Sequence, residues 1–337
     1  MRLYSILSAL FLLATGACGG SGSSQARAVA DSASTSYTER GSFAEDLAYE
    51  YVRQQVEFGP RVPGTEAHRK CGDWLVDMLR TYGADTVIVS GTPVKAWDGT
   101  VLPVRNIFAR YNSDAKDRIL LVAHYDTRPW ADQDPDPDKR MTPIDGANDG
   151  ASGVAVLLEV AHNLSVEPAR VGVDILLTDC EDYGVREGAS VNDDADSWCL
   201  GTQQFAQNLP YTAADMPRYG ILLDMVGGRG ARFNREYFSA TSAQLPTARV
   251  WDMARKLGLG DRFPMAVGGA ITDDHLPLIR AGIPTADIIE NASPETHSFN
   301  PTWHTHADNI ANIDPATLGA VGRVVLNVLY NEKPEQQ

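Results

Sequence analysis

Apolar residues recur every three or four positions through "SFAEDLAYEYVRQQVEFGPRVPG", from Ser42, placed as N-cap, to the Gly59-Pro60 pair that ends the pattern. This spacing predicts an amphipathic helix. The same period runs through "EAHRKCGDWLVDMLRTYG" and stops at Gly83. The pattern then shortens. "DTVIVSG", "RNIFARY" and "RILLVAHYD" read as strands, and the last is a nearly continuous apolar run, as in strands covered on both faces. From there helices and strands alternate. "GASGVAVLLEVAHNL" reads as a helix, "VGVDILLTD" as a strand, "GTQQFAQNL" as a helix and "RYGILLDMVGG" as a strand. "AQLPTARVWDMARKLG" and "HLPLIRAG" follow as helices, "PTADIIE" as a strand and "PATLGAVGRVVLNVLYNE" as the closing helix. Such alternation predicts a single α/β domain over residues 38–333, a mostly parallel central sheet with helices on both faces.

In an open parallel sheet, loops from several strands converge beyond the carboxyl ends of the strands. Read in order, those ends carry His124 and Asp126 after "ILLVA", Glu181 and Asp182 after "VDILLT", Asp224 after "YGILL" and Glu290 after "TADII". One such Asp would pass as a cap or a loop charge. Several acids meeting at one edge repel unless a cation or shared protons relieve them. A divalent metal is the simplest relief, and carboxylate mixed with imidazole favours zinc over calcium or magnesium. The histidines available to it are His124, His275, His297, His304 and His306, two of them at i and i+2 in "PTWHTHADN". In "GANDGASG", Asp149 stands at the start of the next helix, where unpaired amides and the helix dipole favour a negative charge. Alternate projection at a strand end would send the neighbours Glu181 and Asp182 in different directions, with Asp179 as support.

The chain has 337 residues, 43% of them hydrophobic, enough for one large core. A net charge of -15 excludes nucleic acid as a partner, because a binder must neutralise phosphates with clustered Lys and Arg. At the N-terminus, Arg2, the apolar Ile6 to Leu13 and "ATGAC" ending at Cys18 have the form of a secretory signal, too short for a retained span. "TGAC" also resembles the lipobox of bacterial lipoproteins, with Thr15 where Leu is usual. That resemblance implies a signal peptide over residues 1–17, a lipidated Cys18 with a tether over 18–37, and a lipid-anchored protein of the bacterial cell envelope. An ordinary cleaved signal is the alternative. Cys71, Cys180 and Cys199 remain, an odd count that gives no complete disulfide framework. A single Cys180 to Cys199 bridge and three buried thiols both stay open.

"AHYD", "GANDGASGVAVLLE", "TDCEDYG", "LLDMVG" and "WHTHADN", in this order, resemble the zinc aminopeptidases of the M28 type, over nearly all of the chain after residue 40. Within that superfamily the sequence is more similar to glutaminyl cyclases, which turn N-terminal glutamine into pyroglutamate and release ammonia. Trp303 directly before His304, Phe299 four residues before Trp303, "ITDDHLPLIRAGIP" and the spacer "HYDTRPWADQDPDPDKRMTPIDGAND" carry this likeness. The resemblance implies one zinc held by Asp149, Asp182 and His304, with Glu181 as general acid and base and Asp224 and Asp273 as its hydrogen-bonding partners. It places Trp303, Phe299, Ile271 and Thr272 against the substrate, and His124 and Asp126 as ligands of a second metal or as support. Peptide or protein N-termini bearing Gln would be the partners of a monomeric enzyme. Two departures stand out. Asp182 is Glu in animal cyclases and most aminopeptidases, and "EDYGVREG" lacks a pocket Trp, for which the candidates are Trp198, Trp130 or no replacement. An aminopeptidase is the competing reading, with a second zinc on His124 and Asp224 and with Glu181 activating water. A non-catalytic binding domain is opposed by the complete acid set.

Overall fold

The computed structural model describes residues 37–189 and 195–335. The expected signal segment, Cys18 and most of the tether lie outside these residues. Two helices, α1 (Glu45–Glu57) and α2 (Glu66–Thr81), precede strands β1 (Thr86–Ser90), β2 (Pro93–Lys95), β3 (Val101–Pro103), β4 (Asn106–Tyr111) and β5 (Arg118–His124). Then follow α3 (Ala151–Val166), β6 (Gly172–Thr178), α4 (Leu200–Gln207), β7 (Tyr219–Asp224), α5 (Tyr237–Ser242), α6 (Gln244–Lys256), α7 (His275–Arg280), β8 (Thr285–Ile289) and α8 (Pro315–Asn331). Among the described residues, no helix is long and apolar enough to cross a membrane.

Six strands form one sheet in the order β1-β4-β6-β5-β7-β8, and β2 and β3 pair separately as a small antiparallel ribbon. The pairs β5 with β6, β5 with β7 and β7 with β8 are parallel, whereas β4 runs antiparallel to both β1 and β6. The sheet is therefore mixed, parallel where the acids fall. Every residue of β5, β6, β7 and β8 is buried, which is why these segments read as continuous apolar runs. Along β5 the side chains alternate between two cores. Ile119, Leu121 and Ala123 join the large core that includes α1, α3 and α8, while Leu120 and Val122 join a smaller one with Phe205 of α4 and Leu278 of α7. The chain passes from β5 to β6 on one side and then crosses to β7 on the other. This makes the carboxyl end of β5 the switch point where a crevice opens.

Two expectations are corrected, and one open alternative is decided. Helix α1 begins at Glu45 with Ala44 at the N-cap, and Ser42 instead donates its amide to Asn163 Oδ1 at 3.2 Å. Helix α3 is capped by Gly150 (φ 103) with no side-chain bond, so Asp149 lies one residue before the cap. Cys71, Cys180 and Cys199 are all buried free thiols, and no bridge joins the last two.

Candidate active site

Strand β6 ends at Thr178, so Glu181 and Asp182 lie beyond the sheet and strand alternation does not separate them. The backbone does so instead. Cys180 adopts a left-handed conformation (φ 55), which costs a non-glycine residue on the order of 1 kcal/mol and turns the chain sharply. Asp179 anchors that turn: its carboxylate lies 2.8 Å from His68 Nε2 and accepts from the amides of Arg105 (2.7 Å) and Cys180 (2.8 Å). The amides of Glu181 and Asp182 then donate to the two oxygens of Asp126, each at 3.1 Å. Across the crevice, the amides of Asn148 and Asp149 donate to the two oxygens of Asp308, at 2.7 and 3.0 Å. Asp126 and Asp308 thus clamp the loops that present the other acids. Left-handed residues recur at Met225, directly after β7 (φ 48), and at His304 itself (φ 55).

The loops deliver two overlapping groups of ligand atoms, each group within 4.8 Å internally: Asp149, Asp182 and His304, and His124, Asp149 and Asp224. His304 Nε2 lies 3.2 Å from Asp182 Oδ1 and 3.6 Å from Asp149 Oδ2. His124 Nε2 lies 3.1 Å from both Asp149 Oδ1 and Asp224 Oδ1. Asp182 Oδ2 is buried with no hydrogen-bond partner, an oxygen that a cation would satisfy. On its other side, His304 turns Nδ1 to Asp132 (3.4 Å), and Arg128 grips Asp132 with two bonds of 2.9 and 2.6 Å. This fixes the ring with Nε2 facing the acids, as a metal-ligating imidazole needs. One imidazole and two carboxylates, closely spaced and buried, fit zinc with a position left open.

Burial pushes the Glu181 carboxyl well above the ordinary range; Asp273 and Asp182 add to the effect and His124 opposes it. Asp273 is also pushed well above its ordinary value by burial and by Asp224 and Asp274. Burial raises Asp182 to about 6, with Asp149 adding and His304 opposing. Asp132 differs: its bonds to Arg128 and His304 outweigh burial and hold it well below the usual range, so it remains a carboxylate. Glu181 and Asp273 line a cavity of about 400 Å³ together with Trp198, Ile271, Phe299 and Trp303. The Trp303 ring stacks on His304 with centroids 3.8 Å apart, and Phe299 packs on Trp303 at 4.8 Å.

The sequence model of peptidase family M28 matches residues 106–329. The chain belongs to this family. Among solved structures it is 47% identical to the glutaminyl cyclase of Bacteroides thetaiotaomicron, determined with N-acetylhistamine bound (TM-score 0.84; 88% of this chain and 100% of that one). It is 46% identical to a leucine aminopeptidase precursor from the same organism (TM-score 0.83; again 88% and 100%). Bovine glutaminyl-peptide cyclotransferase is 25% identical over 299 residues, 80% of this chain and 77% of that one. With Bacillus subtilis aminopeptidase YwaD the identity is 27% over 218 residues, and the match spans 64% of this chain but 41% of that one. The motif resemblance to M28 proteins and to bacterial glutaminyl cyclases is therefore borne out.

Within this M28 chain, the other candidates from the sequence fall in different places. Thr272 lines the cavity, as does His297, whose backbone is left-handed (φ 58). His275 is enclosed between Glu236 (3.2 Å) and Asp287 (3.7 Å), and His306 pairs with Asp134 at 2.9 Å, neither of them lining the cavity. Glu290 accepts from Asn300 at 3.1 Å and stays out of the cavity, with burial raising it to about 7. Of the two tryptophans considered for the missing pocket aromatic, Trp198 lines the cavity and lies nearly parallel to His304, with centroids 6.2 Å apart. Trp130 packs instead on Trp97 and Tyr183. Sequence reasoning missed Arg128, Asp132 and Asp308. Arg128 and Asp132 lie four apart in the stretch taken as a spacer, and that spacing was their only local signal.

Proposed function

We propose that this protein is a zinc-dependent glutaminyl-peptide cyclotransferase, converting the N-terminal glutamine of peptides and proteins to pyroglutamate with release of ammonia. The observation that carries this reading is the pairing of Glu181 with a second buried acid, Asp273, in one cavity with Trp198, Phe299 and Trp303 and with the Asp149, Asp182 and His304 triad. Similarity alone does not choose, since a cyclase and an aminopeptidase precursor match the chain almost equally.

Zinc bound to that triad supplies a Lewis acid for the carbonyl of the substrate's side-chain amide. The substrate's own α-amine attacks that carbonyl carbon, so nucleophile and electrophile share one molecule and positioning does most of the work. Glu181, whose proton affinity burial raises, takes the proton from the amine as a carboxylate and returns it as a carboxylic acid to the departing nitrogen. Asp273, whose carboxyl burial pushes well above its ordinary range, stands beside it. Trp303, Phe299 and Trp198 shield the cavity from water, which cyclisation does not need.

The His124, Asp149 and Asp224 group supports a second reading, a two-metal aminopeptidase in which Glu181 would activate water. Incubation with a Gln-initiated and a Leu-initiated peptide, followed by mass measurement, separates the two. Loss of one ammonia from the first peptide alone is expected; shortening of either peptide would establish the aminopeptidase. We also read residues 1–17 as a lipoprotein signal and Cys18 as the lipidated anchor of a monomeric enzyme at the bacterial cell envelope, on the strength of "TGAC" and the apolar stretch before it. Cys18→Ala should move the protein from the membrane to the soluble fraction, and unchanged fractionation would refute the anchor.

A further inference from the structure

Cys199 takes no part in either ligand triad, yet it is buried directly against the proposed base. Its Sγ lies 3.5 Å from Glu181 Oε1, and one ligand atom each from Glu181, Cys199 and Asp273 lie within 4.8 Å of one another. Asp273 Oδ2 has no hydrogen-bond partner although the residue is only 2% exposed. The sulfur is held in place by backbone: Cys199 is left-handed (φ 58), its amide donates to the Glu181 carbonyl at 3.0 Å, and the Leu200 amide donates to the Cys180 carbonyl at 3.0 Å. Glu181 and Asp273 line the substrate cavity, so a small ion reaches them by the same entrance.

We infer that Glu181, Cys199 and Asp273 form a separate inhibitory site for a thiophilic divalent cation, such as cadmium or surplus zinc. Imidazole and carboxylate suit the first zinc, whereas this group adds a thiol, the ligand that soft d¹⁰ ions select. Binding releases to solvent the thiol proton and any proton carried by the two carboxyls, and leaves a thiolate and two carboxylates around the ion. The group places two acids and a thiol together, with His124 Nδ1 reaching only Glu181, at 3.9 Å, and an ion satisfies the unpaired Asp273 oxygen. Occupation ties up Glu181. The inhibition, though not the binding, rests on the reading of Glu181 as the base.

The test uses the full chain, stripped of metal, reloaded with one equivalent of zinc and titrated with cadmium. A thiolate-to-cadmium charge-transfer band in the ultraviolet should grow to one equivalent while turnover of a Gln-initiated peptide falls in parallel. The Asp149, Asp182 and His304 triad contains no sulfur and cannot produce this band. Cys199→Ser should abolish the band and raise the cadmium needed for inhibition about tenfold or more, while Cys71→Ser, on α2 and away from the site, keeps both. Asp273→Asn retains the sulfur and should show the band with about tenfold weaker cadmium affinity, which covers the case in which Cys199→Ser folds poorly. A band that survives Cys199→Ser, equal cadmium sensitivity of that variant, or no band at all overturns the proposal. If peptide cyclisation proves not to be the activity, the band and its loss in Cys199→Ser still report on the site.

Discussion

Glu181 and Asp182 are adjacent, and the chain gives them separate work through its backbone. The left-handed Cys180 and the paired bonds from their amides to Asp126 set two neighbouring carboxylates at the crevice, one within reach of His304 and the other beside Asp273. If this division is right, two conservative variants should fail in opposite ways. Glu181→Gln should lower turnover by about 10²- to 10⁴-fold while zinc stays bound. Asp132→Asn, which leaves His304 without its carboxylate partner, should weaken zinc about 10- to 100-fold in competition with a chelator. Loss of metal from Glu181→Gln would reverse the assignment. The acids at strand ends were legible because each follows directly on a buried apolar run. Asp308 was not, because the amides it holds lie about 160 residues away in sequence and nothing local marks the pairing.

At the level of elements, α3 shows why small residues surround Asp149. An acid just before a helix reads as its cap, and the sequence alone could not tell Asp149 from Gly150 in that role. Gly150 takes the cap with φ 103, in a place where an added Cβ would lie 2.5 Å from the Asp126 carbonyl oxygen, and Asp149 is left free to face the two histidines. One turn on, an added Cβ at Gly153 would collide with the Leu223 carbonyl of β7, one residue before Asp224. Alanine would gain about 1 kcal/mol in helix propensity there. Overpacking against backbone that cannot yield costs about 1–3 kcal/mol, and the second effect should win. Gly153→Ala is therefore expected to lower the urea midpoint; an unchanged or higher midpoint would mean that α3 can move away from β7. The long elements were readable from their periods, whereas the β2–β3 ribbon, three residues a strand, is too short to show one.

For the molecule as a whole, the parallel half of the sheet gathers at one edge acids that would repel if all were ionised. Burial raises Glu181, Asp273 and Asp182 above their unfolded values. For acids shifted in that direction, the stability they contribute is complete below the unfolded values and is lost as pH rises through the folded ones. Protein stripped of metal should therefore melt at a lower temperature at about pH 8 than at about pH 5, and zinc should restore more of that loss at the higher pH. Equal melting of the stripped protein at both values would show that the acids do not burden the fold. The sheet class and the edge carrying the chemistry could be read from alternation alone. The reversed β4 could not, since a strand's direction leaves no mark on its own pattern.

The paired clamps of Asp126 and Asp308 bear on time as well as on position. Both hold their loops by ordinary hydrogen bonds to backbone, so the ligand carboxylates stand together before any ion arrives. Uptake then requires an ion to shed water and enter, with no segment of chain to fold around it. Loading should be limited by diffusion and dehydration, and a stripped sample should recover upon mixing rather than over the slower course of refolding.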